Sequence, residues 1–158
     1  MSMEAEAYSM PTTKRLLPNE VLLGEAERML AEGREVVMIP KGRSMLPFIR
    51  GGIDKVLLRK QEVLKVGDIA LARVEGHYIM HRIIAVDGQQ VTLMGDGNLQ
   101  GVEQTTKDGV AGVVVEIITL EGRHHKPTRG WLWRKLLPIR KYLLKVYRKW
   151  NRIVGRAF

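Results

Sequence analysis

The sequence predicts a mainly β domain with one helix in front of it and a basic amphipathic helix behind it. Three observations carry this: six short runs of β-branched and aliphatic residues between residues 36 and 120, glycine-centred turn signals between them, and a composition break after Gly122. A chain of 158 residues fits one domain with a real core. It contains no cysteine, which excludes a disulfide framework, a thiolate metal site and cysteine catalysis.

Residues 1–16 have mixed polarity, no period and a proline at position 11, which reads as a loosely ordered arm without chemistry. From Pro18 the apolar residues Val21, Leu22, Ala26, Met29 and Leu30 recur at helical spacing. Pro18 or Asn19 starts this helix and Gly33 stops it. The β runs follow at Val36–Ile39, Val56–Leu58, Ile69–Val74, Tyr78–Val86, Val91–Met94 and Val110–Leu120. Asp87-Gly88 lies between two alternating runs and marks a hairpin. The spacing predicts a compact barrel or a coiled set of sheets, with a domain over 17–122 and a linker and tail over 123–158.

The net charge of +9 is uneven: residues 123–158 hold twelve of the 26 Lys and Arg and no acid, leaving fourteen basic against seventeen acidic residues in the body. Plotted at 100° per residue, Arg134, Lys135, Lys141, Lys145, Arg148 and Lys149 gather on one side, opposite Leu136, Ile139, Leu143, Val146 and Trp150. Pro138 starts or kinks this helix. Preceded by Trp131 and Trp133, the pattern is that of a helix lying among anionic headgroups, with Trp131, Trp133, Arg134, Lys141, Lys145 and Trp150 as membrane contacts. Packing on the body ranks second and nucleic acid third. With no signal-peptide pattern at the amino terminus and no long apolar run, the expected location is cytoplasmic, or peripheral on the inner face of a membrane. His124-His125 reads as solvated linker rather than a metal site, and no metal or other cofactor is expected.

The chemistry centres on Gly42-Arg43-Ser44-Met45-Leu46-Pro47, a serine in a tight turn, and on His81 in a strand run. A serine hydroxyl needs an adjacent base and backbone N–H groups aimed at the oxyanion; Gly42 allows a close backbone bend and Pro47 fixes the far side. Ser44-Met45-Leu46-Pro47, Gly67-Asp68-Ile69, His81-Arg82-Ile83-Ile84 and Gly95-Asp96-Gly97-Asn98 stand in this order. Together they resemble the signal peptidase family, within the serine peptidase superfamily that also contains LexA-type self-cleaving repressors. The resemblance covers about residues 35–119.

It implies a LexA/signal-peptidase-like complex β fold and a Ser–His endopeptidase acting on exported or peptide precursors. His81-Arg82 matches the archaeal and endoplasmic-reticulum branch, which makes Ser44 the nucleophile and His81 the general base. The aspartate of that branch has no counterpart in Leu99-Gln100-Gly101-Val102-Glu103, so Asp96 is the nearest matching carboxylate and Glu103 the nearest substitute; a Ser–His dyad is the remaining option. Gly42 replaces a hydroxyl residue common in the bacterial branch, which leaves an oxyanion hole of Gly42 and the Ser44 N–H. Arg82 is read as structural, and Met45 and Phe48 as local packing or as the lining of an apolar substrate cleft. A LexA-like nucleic-acid-binding regulator and a catalytically inactive membrane-docking relative are the alternatives.

Overall fold

The computed structural model describes residues 19–98, 101–131, 135–136 and 139–156. The chain is mainly β: a curled antiparallel sheet with a helix before it and a helix after it. Helix α1 (Asn19–Ala31) ends as its sequence dictates. Gly33 takes a φ of +82°, Arg34 N–H donates to the Met29 carbonyl at 3.1 Å and Gly33 N–H to that of Leu30 at 3.0 Å, which closes the last turn with a left-handed glycine.

The strands are β1 (Val36–Met38), β2 (Lys55–Arg59), β3 (Ile69–Val74), β4 (His77–Asp87), β5 (Gln90–Met94), β6 (Glu103–Thr106), β7 (Val110–Ile118) and β8 (His124–His125). Their order across the sheet is β1-β2-β7-β3-β4-β5-β6, with β8 attached to β7. The β3–β4 turn is two residues long, and Glu75 and Gly76 both have positive φ, which matches the right-handed twist of the strands they join. Asp87-Gly88 opens the β4–β5 hairpin, where Asp87 pairs with Gln90.

Curling buries both faces of the central strands. Along β3, Ile69 and Leu71 enter one core cluster with Leu30, Ile49, Leu58 and Ile117, while Ala70 and Ala72 enter another with Ile83, Leu93 and Val110. A continuous apolar run is what a strand buried on both sides requires. Helix α1 closes the first cluster through Leu30, whose methyl lies where a Cβ on Gly112 of β7 would come within 3.0 Å.

Two boundaries differ from the sequence expectation. β6 reads Glu-Gln-Thr-Thr and offers no hydrophobic alternation, because it is an edge strand whose side chains are half-buried or exposed. Residues 123–130 are not a free linker: His124-His125 add a strand to β7, Arg129 pairs with Asp68 at 2.5 Å, and Gly130 is buried. Helix α2 (Arg140–Arg156) follows, and Leu144 is its buried side chain among those described. The expected contacts Trp133 and Arg134, and the expected start at Pro138, lie outside the described residues. No helix among the described residues is long and apolar enough to cross a membrane.

Candidate active site

Ser44 lies in a turn that follows β1 and is fixed from three sides. Met45 and Ile49 are buried in the core, and the Ile49 and Phe48 N–H groups both donate to the Met45 carbonyl at 3.0 Å. The peptide between Leu46 and Pro47 is cis. At the exit of the turn the buried Asp54 carboxylate accepts from the Arg50 N–H and guanidinium, both at 2.8 Å. Gly42 has a φ of +86°, and a Cβ on Gly51 would come 1.8 Å from the Gly42 carbonyl oxygen, so the two ends of the loop touch at backbone distance.

The third side is the Gly95-Asp96-Gly97-Asn98 segment after β5. Gly97 N–H donates to the Ser44 carbonyl at 2.7 Å. A Cβ on Gly95 would lie 2.5 Å from that oxygen, and one on Gly97 2.5 Å from the Arg43 carbonyl oxygen. The glycines of this segment are therefore required by the close approach of the serine turn.

His81 and Arg82 are adjacent on β4 and, with side chains projecting to opposite faces of the strand, serve two different constructions. His81 is 6 % exposed and its Nδ1 lies 2.8 Å from the Glu103 carboxylate. A carboxylate only accepts, which assigns the proton to Nδ1 and leaves the Nε2 lone pair free to take a proton from a nucleophile. The contact exists because β5 ends at Met94, opposite Arg82, so His81 lies beyond that ladder and reaches the start of β6.

Arg82 is fully buried. Its Nε and Nη2 donate to Asp96 at 2.8 and 2.7 Å, its Nη1 to the carbonyls of Gly67 at 2.8 Å and Thr128 at 2.6 Å, and its guanidinium lies 5.2 Å from the Phe48 ring centre. Gly130 follows closely enough that a Cβ there would fall 2.7 Å from the guanidinium carbon. This corrects the expectation for Asp96. Of the two candidate acids, Glu103 holds the histidine, while Asp96 neutralises the buried arginine that ties the serine turn to the root of the tail.

Ser44, His81 and Gly42 line one cavity of about 790 Å³, which runs between β1, the inner face of α1 and the first half of β4. Beside it, burial and then the hydrogen bond to Glu27 push the Tyr78 phenol above its ordinary value. Sequence reasoning gave Ala26, Met29 and Met38 no role in a cleft, and it drew the apolar face of the helix through Val21 and Leu22, which are exposed, rather than through Leu23, which packs against the core. Comparison with protein-family models and with curated proteins finds no match. Function therefore rests on the geometry. Among the described residues no cluster of His, Asp and Glu is arranged to hold a metal ion.

In the tail, the described apolar residues of α2 are largely uncovered: Val146 is 68 % exposed, Trp150 65 % and Ile153 58 %. With Tyr142 and Leu143, also exposed, they recur every three or four residues along one side. Trp131 is exposed too and carries the Lys135 ammonium 5.0 Å from its ring centre, while Lys141 and Lys145 are solvated. Among the described side chains of this helix Leu144 is buried and Tyr147 half-buried.

Proposed function

We propose that this protein is a signal-peptidase-like serine endopeptidase, with the LexA/signal-peptidase type of β fold, that processes exported or peptide precursors at an anionic membrane surface. Ser44 is the nucleophile, His81 the general base and Glu103 the acid that orients it. The observation that carries this reading is that His81, hydrogen-bonded to Glu103 behind it, lines the same cavity as Ser44. A base oriented by a carboxylate activates a serine hydroxyl when the two come within hydrogen-bond reach, and the shared cleft is what supports that pairing here.

In the first half of the reaction the Ser44 oxygen bonds to the scissile carbonyl carbon as its proton passes to His81 Nε2. Backbone N–H groups of the serine turn at Gly42 and Ser44 receive the oxyanion. The C–N bond then breaks, His81 returns the proton to the departing amine, and an ester on Ser44 remains. Water attacks the ester, gives its proton to His81, and the proton returns to Ser44 as the ester bond breaks. Glu103 stays ionised and holds the ring through both halves.

The exposed apolar stripe of α2, in a helix whose sequence holds seven Lys and Arg and no acid, supports docking on anionic lipid and a location in the cytoplasm or at the inner face of a membrane. The test is to incubate the protein with a serine-directed fluorophosphonate and, separately, with precursor peptides. The parent is expected to label at Ser44 and to cut peptide, while Ser44→Ala and His81→Ala fold normally and do neither. Equal turnover by parent and both variants removes the assignment.

A further inference from the structure

Resting on the membrane-docking part of the proposed function, we infer that a second cavity, sharing no lining residue with the Ser44 cleft, binds the phosphate of an anionic glycerophospholipid. It exists because β7 changes partners. β3 pairs with β7 as far as Val113, and β8 joins the same side only at Ile117, so Val114, Val115 and Glu116 have no strand there. The space is walled by Gly67 and Asp68 at the end of the β2–β3 loop and by residues 126–129. The walls meet at backbone distance: a Cβ on Gly67, whose φ is +101°, would fall 2.8 Å from the Arg129 carbonyl oxygen. The volume, about 370 Å³, lies at the low end of the range that holds a small ligand, roughly 300–1,000 Å³.

The polar lining consists of Gln61, Lys65, Asp68, Lys126, Thr128 and Arg129. Its acceptors are largely spent. The Gly67 and Thr128 carbonyls both accept from Arg82 Nη1, at 2.8 and 2.6 Å, and the Asp68 carbonyl accepts from the Ile83 N–H at 2.7 Å. The Asp68 carboxylate accepts from the Lys65 N–H at 2.9 Å on one oxygen and from Arg129 at 2.5 Å on the other. Donors remain: the exposed Lys65 and Lys126 ammoniums have no ion pair among the described residues, and the Arg129 guanidinium has N–H groups to spare. Three cations against one carboxylate leave the lining with a net charge of +2. Of the nearest other acids, Glu116 is paired with His124, and Glu62 is exposed outside the lining. A cationic cavity rich in donors matches a phosphodiester, which only accepts.

The surroundings select a lipid over a soluble phosphate. Val63, 69 % exposed, lines the cavity, and Val66 is exposed in the same loop, which also carries Lys60 and Lys65. Arg129 stands two residues, about 7 Å of extended chain, before the exposed Trp131. An indole ring settles at headgroup level, so a surface that receives Trp131 brings phosphates to the cavity mouth.

The test uses the full-length protein and two arms. In the first, a short-chain phosphatidylglycerol below its micelle concentration is titrated against the amide NMR signals of Val114, Val115, Lys126, Thr128 and Arg129. Saturable shifts are expected at these amides, with inorganic phosphate binding about tenfold more weakly because it lacks the glycerol's further contacts. No saturable shift, or equal affinity for inorganic phosphate, overturns the inference. The second arm measures co-sedimentation with phosphatidylglycerol vesicles. Lys65→Gln with Lys126→Gln, both at exposed positions, is expected to weaken binding about thirtyfold. Lys55→Gln with Lys107→Gln, outside the lining, is expected to weaken it less than about threefold. Equal losses from the two pairs overturn the inference. Truncation before residue 139 that leaves vesicle binding unchanged sinks the docking role of α2 and not this one, which the soluble lipid decides.

Discussion

Exchanging the two acids one at a time separates the site's two constructions. In Asp96→Ala the Arg82 guanidinium loses its three charge-assisted contacts to Asp96, at 2.8, 3.1 and 2.7 Å, while its side chain remains only 1 % exposed. Removing one partner of a buried pair costs about 3–5 kcal/mol because the other charge is left uncompensated. For a chain of this size each kcal/mol is worth about 2–4 °C of melting temperature, which gives a fall of about 6–20 °C. In Glu103→Gln the pair is broken at a site where the carboxylate is 29 % exposed, so the stability cost is about 1 kcal/mol. Turnover falls instead, by about 10²–10⁴-fold, because the amide no longer holds the imidazole in the required tautomer. Urea unfolding and fluorophosphonate acylation, run on both variants, read the two quantities. The double exchange Arg82→Met with Asp96→Leu is expected to recover most of the stability lost by Asp96→Ala. A Glu103→Gln variant with parental acylation, together with an Asp96→Asn variant that is fully stable yet inactive, refutes the assignment of roles.

Gly97→Ala places a Cβ 2.5 Å from the Arg43 carbonyl oxygen, so the serine turn must shift; acylation of Ser44 is expected to fall by more than about tenfold with a stability loss of about 1–3 kcal/mol, read by the same two assays. Truncation before residue 139 is expected to abolish co-sedimentation with anionic vesicles while the β domain stays folded, and intact protein is expected to leave those vesicles as salt rises. Truncation before residue 126 also removes Thr128 and Gly130 from Arg82 and lowers the melting temperature, which differential scanning calorimetry reports. Tyr78 carries a pH dependence. Its folded value is raised above 10.0, first by burial and then by Glu27, so its contribution to stability is complete below the unfolded value and is lost as pH climbs through the folded one. Tyr78→Phe is expected to remove that part of the alkaline loss in urea titrations run at several pH values.

The sequence alone determined the helix from Asn19, the six apolar strands, the turns at Glu75-Gly76 and Asp87-Gly88, and the basic tail, because each is written in a local period or in a residue with a fixed backbone preference. Ser44 and His81 were visible as candidates through the order of four short motifs that resemble the signal peptidase family. Glu103 was legible only as one of two candidate acids, beside Asp96. It sits on a polar edge strand without alternation, and the β propensity of Thr105 and Thr106 before the Lys107-Asp108-Gly109 turn was the only local signal of it. Tertiary structure alone decided which acid meets the histidine, since that depends on β5 ending opposite Arg82 and β6 pairing back at Leu93 with Glu103. It likewise turned residues 126–130 from linker into part of the body, because a buried guanidinium needs acceptors and the chain supplies the Thr128 carbonyl from 46 residues away. Periodicity reports which way a side chain faces; what it faces follows only once distant strands are in register.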